Sequence, residues 1–185
     1  MQLIKSFAAR LPDGRNVTGL YAVIVCLVYS WTLFTSFYKL PAWMFYLNLG
    51  EIASIYAYAF LFDLVESILL LLVVLFFEFT LFLFFKNREE FQTRAVIMTF
   101  ALLCSMAMRL ARFKGYEEMG GFVNGEPAWW AFAIAISMLC SVLVSKSPLL
   151  RRIVGGFTER AVVFLYIYLP LSFLSVVVVI WRNLF

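Results

Sequence analysis

This 185-residue chain is 64% hydrophobic and 19% aromatic, and only 14% of it is charged, with a formal net charge of +4. Soluble domains are nearer half apolar and about a quarter charged, and no mixed-composition stretch here is long enough to fold as a soluble head. Histidine is absent, which excludes His-held haem, His-containing zinc sites and His-based proton relays.

At the N-terminus, Leu3, Ile4, Phe7, Ala8 and Leu11 share one helical face, with Lys5 and Arg10 off it. That pattern predicts a basic amphipathic helix lying on anionic lipid. Lys5, Arg10 and Arg15 then precede an apolar stretch with no A-x-A-like cleavage site after it. It reads as a signal anchor, the first span, over residues 18–38. Asn16-Val17-Thr18 fits a glycosylation acceptor but falls on the inner side of that span.

Residues 41–58 carry Trp43, Tyr46, Tyr56 and Tyr58, which favour the membrane–water interface. This segment reads as an outer interfacial stretch or as the splayed start of a long second helix. Pro41 suits a first helical turn and Gly50 a break. The second span is placed at 61–85. Within it residues 69–85 (LLLLVVLFFEFTLFLFF) are apolar except for Glu78 and Thr80, so the helix is apolar all round and belongs in lipid. A six-span alternative lets residues 40–62 cross alone. It needs a hairpin at Phe62-Asp63-Leu64, where no Gly, Pro or Asn is present.

The third span is expected at 93–113, an acidic, turn-rich outer loop at 115–127, and the fourth span at 128–145. Leu149, Leu150, Ile153, Val154 and Phe157 form a second amphipathic face, with Ser147-Pro148 as cap and first turn. The fifth span follows at 161–181. The expected fold is all-α: a polytopic membrane helix bundle of five transmembrane helices with short interfacial helices, forming a single transmembrane domain over residues 1–185. Nothing shows the ten-residue alternation of a membrane barrel.

Basic residues orient the bundle. Five spans put Lys5, Arg10, Arg15, Lys86, Arg88, Arg94, Lys146, Arg151, Arg152 and Arg160 on one side. Only Lys39, Arg109, Arg112, Lys114 and Arg182 fall on the other. The positive-inside rule then predicts a cytoplasmic N-terminus and an outer C-terminus, in a plasma (inner) membrane. Six spans would even the two counts.

Two places draw attention as sites. Glu78 lies roughly 12 Å from the inner end of its helix, where an ionisable group is expensive. At a similar depth on other spans stand Tyr29, Ser137, Ser141, Tyr166 and Tyr168. Glu78 is expected to face the fourth or fifth span as a neutral acid bonded to such hydroxyls, either as a packing group or as a proton or cation relay. Pro170 in the fifth span removes a backbone donor nearby.

The other place is an outer charge cluster. Asp63 and Glu66 are three apart, as are Arg109 and Arg112, so each pair shares a helix face. Counted along antiparallel helices from the loop that joins them, Glu66 and Arg112 both lie roughly 30 Å up. Ion pairing of Glu66 with Arg109 or Arg112 is expected, either as interhelical glue or as a clamp for an anionic headgroup.

Cys26, Cys104 and Cys140 all lie in apolar segments and read as small hydrophobes. Glu117, Glu118 and Glu126 read as acids of a solvated turn rather than a metal site. Gly120-Gly121 and Gly155-Gly156 lack a phosphate-loop frame. No metal, cofactor or nucleic-acid partner is expected. The expected partners are the lipid bilayer and other membrane subunits.

The reading that follows is an accessory or scaffold subunit of a membrane complex, leaning against an enzyme. Two alternatives stay open: a small proton- or ion-coupled transporter using Glu78, and a lipid-handling enzyme using Asp63, Glu66, Arg109 and Arg112.

Overall fold

A computed structural model describes residues 13–84, 90–112 and 119–184. These residues form five α-helices and no strand: α1 (Gly14–Tyr46), α2 (Leu49–Phe84), α3 (Phe91–Ala111), α4 (Met119–Val144) and α5 (Pro148–Leu184). Each is long and apolar enough to cross a bilayer. In lipid the backbone must satisfy its own hydrogen bonds, so an apolar sequence without strand alternation resolves into helices. Phe34, Phe76, Phe132, Leu139, Val163 and Val177 are among many large apolar side chains left exposed. Such surface is a liability in water and ordinary in hydrocarbon. The chain is a multi-pass membrane protein built as an all-helical bundle. The amphipathic stretch from Leu3 to Leu11 lies outside the described residues, as do Lys86, Arg88, Lys114, Glu117 and Glu118.

The helix boundaries differ from the sequence expectation in three places. First, α2 runs unbroken from Leu49, with Asp63 well inside it. The hinge that a sixth span requires is therefore absent, and the second helix begins about 18 Å earlier than residue 61, as the long-helix reading of residues 41–58 expects. The chain turns at Leu47-Asn48 rather than at Gly50. Asn48 causes this: its Oδ1 accepts the Glu51 amide at 2.9 Å, and the Glu51 carboxylate accepts the Asn48 amide at 2.8 Å. That reciprocal capping box satisfies amides that would otherwise be orphaned at the helix start. Pro41 does not open a helix but lies inside α1.

Second, α4 begins at Met119, so Glu126 and Pro127 are helical rather than part of a turn-rich loop. Third, the amphipathic face from Leu149 to Phe157 is not a separate interfacial helix. It is continuous with the last span as one helix of 37 residues. The Arg151 amide donates to the Ser147 carbonyl at 3.1 Å to start that helix. Gly155 and Gly156 do not interrupt it, because neither is needed for a turn or a close approach.

The described residues fall into two compact units. One is drawn from residues 74–155 and holds the end of α2, α3, α4 and the start of α5. Its core includes Val74, Leu81, Ala95, Val96, Met98, Leu102 and Ala133. The other comprises residues 13–73 and 156–184, with α1, the first part of α2 and the rest of α5. There α1 and α2 run antiparallel along a line of polar contacts. Tyr21 and Ser67 share a hydrogen bond at 3.5 Å, Tyr29 donates to the Phe60 carbonyl at 3.3 Å, and Tyr56 donates to Ser36 at 3.1 Å. α5 joins this pair through a Tyr29–Ser172 hydrogen bond, and Asn183 donates to Tyr58 at 3.0 Å.

Candidate functional site

Glu78 is wholly buried, and so is Arg94, at 0% and 1% exposure. Glu78 sits on α2 six residues before Phe84, and Arg94 three residues past Phe91 at the start of α3. The Glu78–Arg94 ion pair joins the two helices at this point. Arg94 Nε donates to Glu78 Oε2 at 3.3 Å. Its Nη1 lies 3.8 Å from Glu90 Oε2, one helical turn back, and Arg151 Nη2 donates to Glu90 Oε1 at 3.3 Å. The result is a chain of alternating charge, Glu78–Arg94–Glu90–Arg151, from the apolar interior of the unit toward the start of α5. Each buried charge is flanked by its opposite, which is what makes burial tolerable. Two atoms in the deepest pair have no hydrogen-bond partner: Glu78 Oε1 and Arg94 Nη2.

The hydroxyls expected around Glu78 are engaged elsewhere. Ser137 and Ser141 donate to the Ala133 and Met138 carbonyls of their own helix. Tyr166 is 79% exposed. Tyr29 bonds Ser172 and packs its ring against Tyr168. Glu78 therefore finds a cation on the third span rather than hydroxyls on the fourth or fifth. By sequence alone Arg94 reads as an inner flanking charge. The Glu90–Arg94 spacing of four residues was the available sign that it belongs to a helix-face pair.

Three of the four charges in the outer cluster, Asp63, Arg109 and Arg112, have other partners than those expected. Arg109 Nε donates to Glu126 Oε1 at 2.7 Å, and Trp130 Nε1 donates to the other carboxylate oxygen at 2.6 Å. The guanidinium carbons of Arg109 and Arg112 stand 5.6 and 5.3 Å from the Trp129 ring centre, close enough for cation–π attraction. Glu126, read as a loop acid, is thus the residue that ties α3 to α4. Asp63 is buried and accepts a hydrogen bond from Thr32 at 2.7 Å, while its Oδ2 has no partner. Glu66, expected to pair with an arginine, is exposed. Three residues turn a helix through 300°, so Asp63 and Glu66 are near neighbours whose outward and inward directions still differ.

The cysteines are free thiols: Cys26 is buried, Cys140 half-buried and Cys104 exposed. Among the described residues no group of three or more acids and cysteines is gathered to hold a metal. No family model, curated protein or solved structure matches this chain.

Proposed function

We propose that the protein is a non-catalytic subunit of a membrane complex, held in a plasma (inner) membrane with a cytoplasmic N-terminus and an outer C-terminus. The observation that carries this reading is Glu66, an acid exposed on a helix face that is otherwise apolar. Ionisable side chains in spans almost always face an interior or a partner. An acid turned outward implies that another polypeptide completes its surroundings. The inward acids support the same reading, because Glu78 and Asp63 engage Arg94 and Thr32 and so serve packing. The orientation rests on the ten-to-five asymmetry of basic residues.

Purification from native membranes in a mild detergent should return a stoichiometric partner that has spans of its own. A solitary chain that moves protons or ions in liposomes, and loses this in Glu78→Gln, would overturn the reading. One observation favours that second reading, a small proton- or ion-coupled transporter. Glu78 Oε1 and Arg94 Nη2 are buried without partners, and a relay needs a deep acid with an uncommitted oxygen.

A further inference from the structure

The outward face of α2 has a definite composition. Phe62, Val65, Leu69, Leu72 and Val73 are exposed at 68, 49, 57, 57 and 42%. With Glu66 they follow the three-and-four spacing of a single helix stripe. Asp63, Ser67 and Val74 point the other way and are buried. Glu66 is therefore the one ionisable group on an apolar stripe.

Its depth follows from α5. Asn183 bonds Tyr58 at 3.0 Å, so that level of α2 coincides with the end of the last apolar run, where Trp181, Arg182 and Asn183 mark an interface. Glu66 is eight residues further along α2, about 12 Å deeper at the helical rise. It stands inside the apolar zone, and it makes no hydrogen bond or ion pair among the described residues. The inward acids have an arginine or a threonine beside them; Glu66 has the exposed Val65 and Leu69 on its stripe, and the charged group within reach of it is another acid, Asp63.

From this we infer that the Glu66 stripe of α2 is a docking surface for one transmembrane helix of a partner protein, a helix that carries a single Lys or Arg at the depth of Glu66. An apolar stripe alone needs no cover in lipid, since lipid tails are as apolar as leucine. The acid is what calls for an occupant, and charge complementarity selects a basic one. A neutral helix would leave the carboxylate as poorly placed as lipid does. This inference rests on the subunit reading and names the chemistry of the partner.

The test uses the full chain, purified and reconstituted in phosphatidylcholine vesicles, with fluorescent Leu/Ala spanning peptides as probes. One peptide carries a single Lys about eight residues from one end, to match the depth above; its control carries Leu there. Energy transfer reads association. The Lys peptide should bind about tenfold more tightly than the control, the range of a good interhelical polar contact. Glu66→Gln should abolish that difference, and Glu66→Lys should transfer the preference to a peptide bearing Glu. Equal binding of Lys and Leu peptides to the folded wild-type chain would overturn the inference, as would a Lys preference that survives Glu66→Gln.

The two readings fail separately. A native partner retained unchanged by Glu66→Lys upholds the subunit role and removes this surface from it. A Glu66-dependent Lys preference in a chain that purifies alone upholds the surface and removes the subunit role.

Discussion

Arg94 is the residue on which the buried charge chain turns, because it touches acids on both sides. Removing it strands Glu78 in a place without water. Arg94→Leu should therefore destabilise the protein in detergent by about 3–5 kcal/mol, the usual cost of breaking a buried pair. The double change Glu78→Leu with Arg94→Leu should cost less than the sum of the single changes, since no lone charge is left. Thermal or denaturant unfolding of the four proteins measures this, and additive losses would show that the pair carries no coupling. At the α3–α4 end, Glu126 accepts from both Arg109 and Trp130. Trp130→Phe keeps the ring and removes one donor, so a loss of about 0.5–1.5 kcal/mol is expected. No loss in the same unfolding assay would mean that solvent replaces the indole.

The capping box is what makes the long second helix start where it does. Asn48→Ala removes a side-chain acceptor from an exposed helix start and should cost about 0.5–2 kcal/mol. Asn48→Asp should restore most of it, because a carboxylate accepts the same amide and suits the positive end of the helix dipole. Hydrogen exchange of the Glu51 amide reads this locally, and unchanged protection in Asn48→Ala would rule the cap out. The motif stands in the sequence as Asn48 and Glu51, whereas Gly50 offers only a general turn signal. Glycine marks a break only when the backbone needs its freedom, and here it does not. The joined helix of α5 has a similar cause. Nothing between Phe157 and Ala161 breaks a helix, so an amphipathic turn and an apolar span become one rod.

For the whole molecule, five spans and the basic asymmetry make a joint forecast. A reporter that works only in the cytoplasm should be active when fused after Asn87 or Ser147 and silent after Phe185. An active fusion at Phe185 would refute the odd number of crossings or the N-terminal side. The unbroken α2 bears directly on this count, because a hinge at Asp63 would have added a crossing and moved the C-terminus to the other side. Two packing units share α2 and α5, so substitutions at Glu78 and at Tyr29 act in different cores. Tyr29→Phe removes the hydroxyl that meets Ser172 and the Phe60 carbonyl. It should cost about 0.6 kcal/mol, an average value for hydrogen bonds between membrane helices, and the loss should add to that of Arg94→Leu. Coupling between the two would show that the cores unfold as one.

Composition and the apolar runs determined by themselves that this chain enters a membrane, as helices, and five times. Those features depend on the solvent and on the backbone, and each segment carries them alone. Glu78 was also legible as a costly acid, because no neighbour is needed to see that it lies in a run of Leu and Phe. The identity of its partner was not legible. It depends on which faces of α2 and α3 meet, and a shift of one residue turns a side chain by 100°. The same holds for Arg109, which the level count paired with Glu66 and the packing gave to Glu126. Depth along a helix can be counted from a sequence, whereas azimuth is decided only when helices pack. That is why Asp63 and Glu66, three residues apart, end with one buried beside Thr32 and the other facing out.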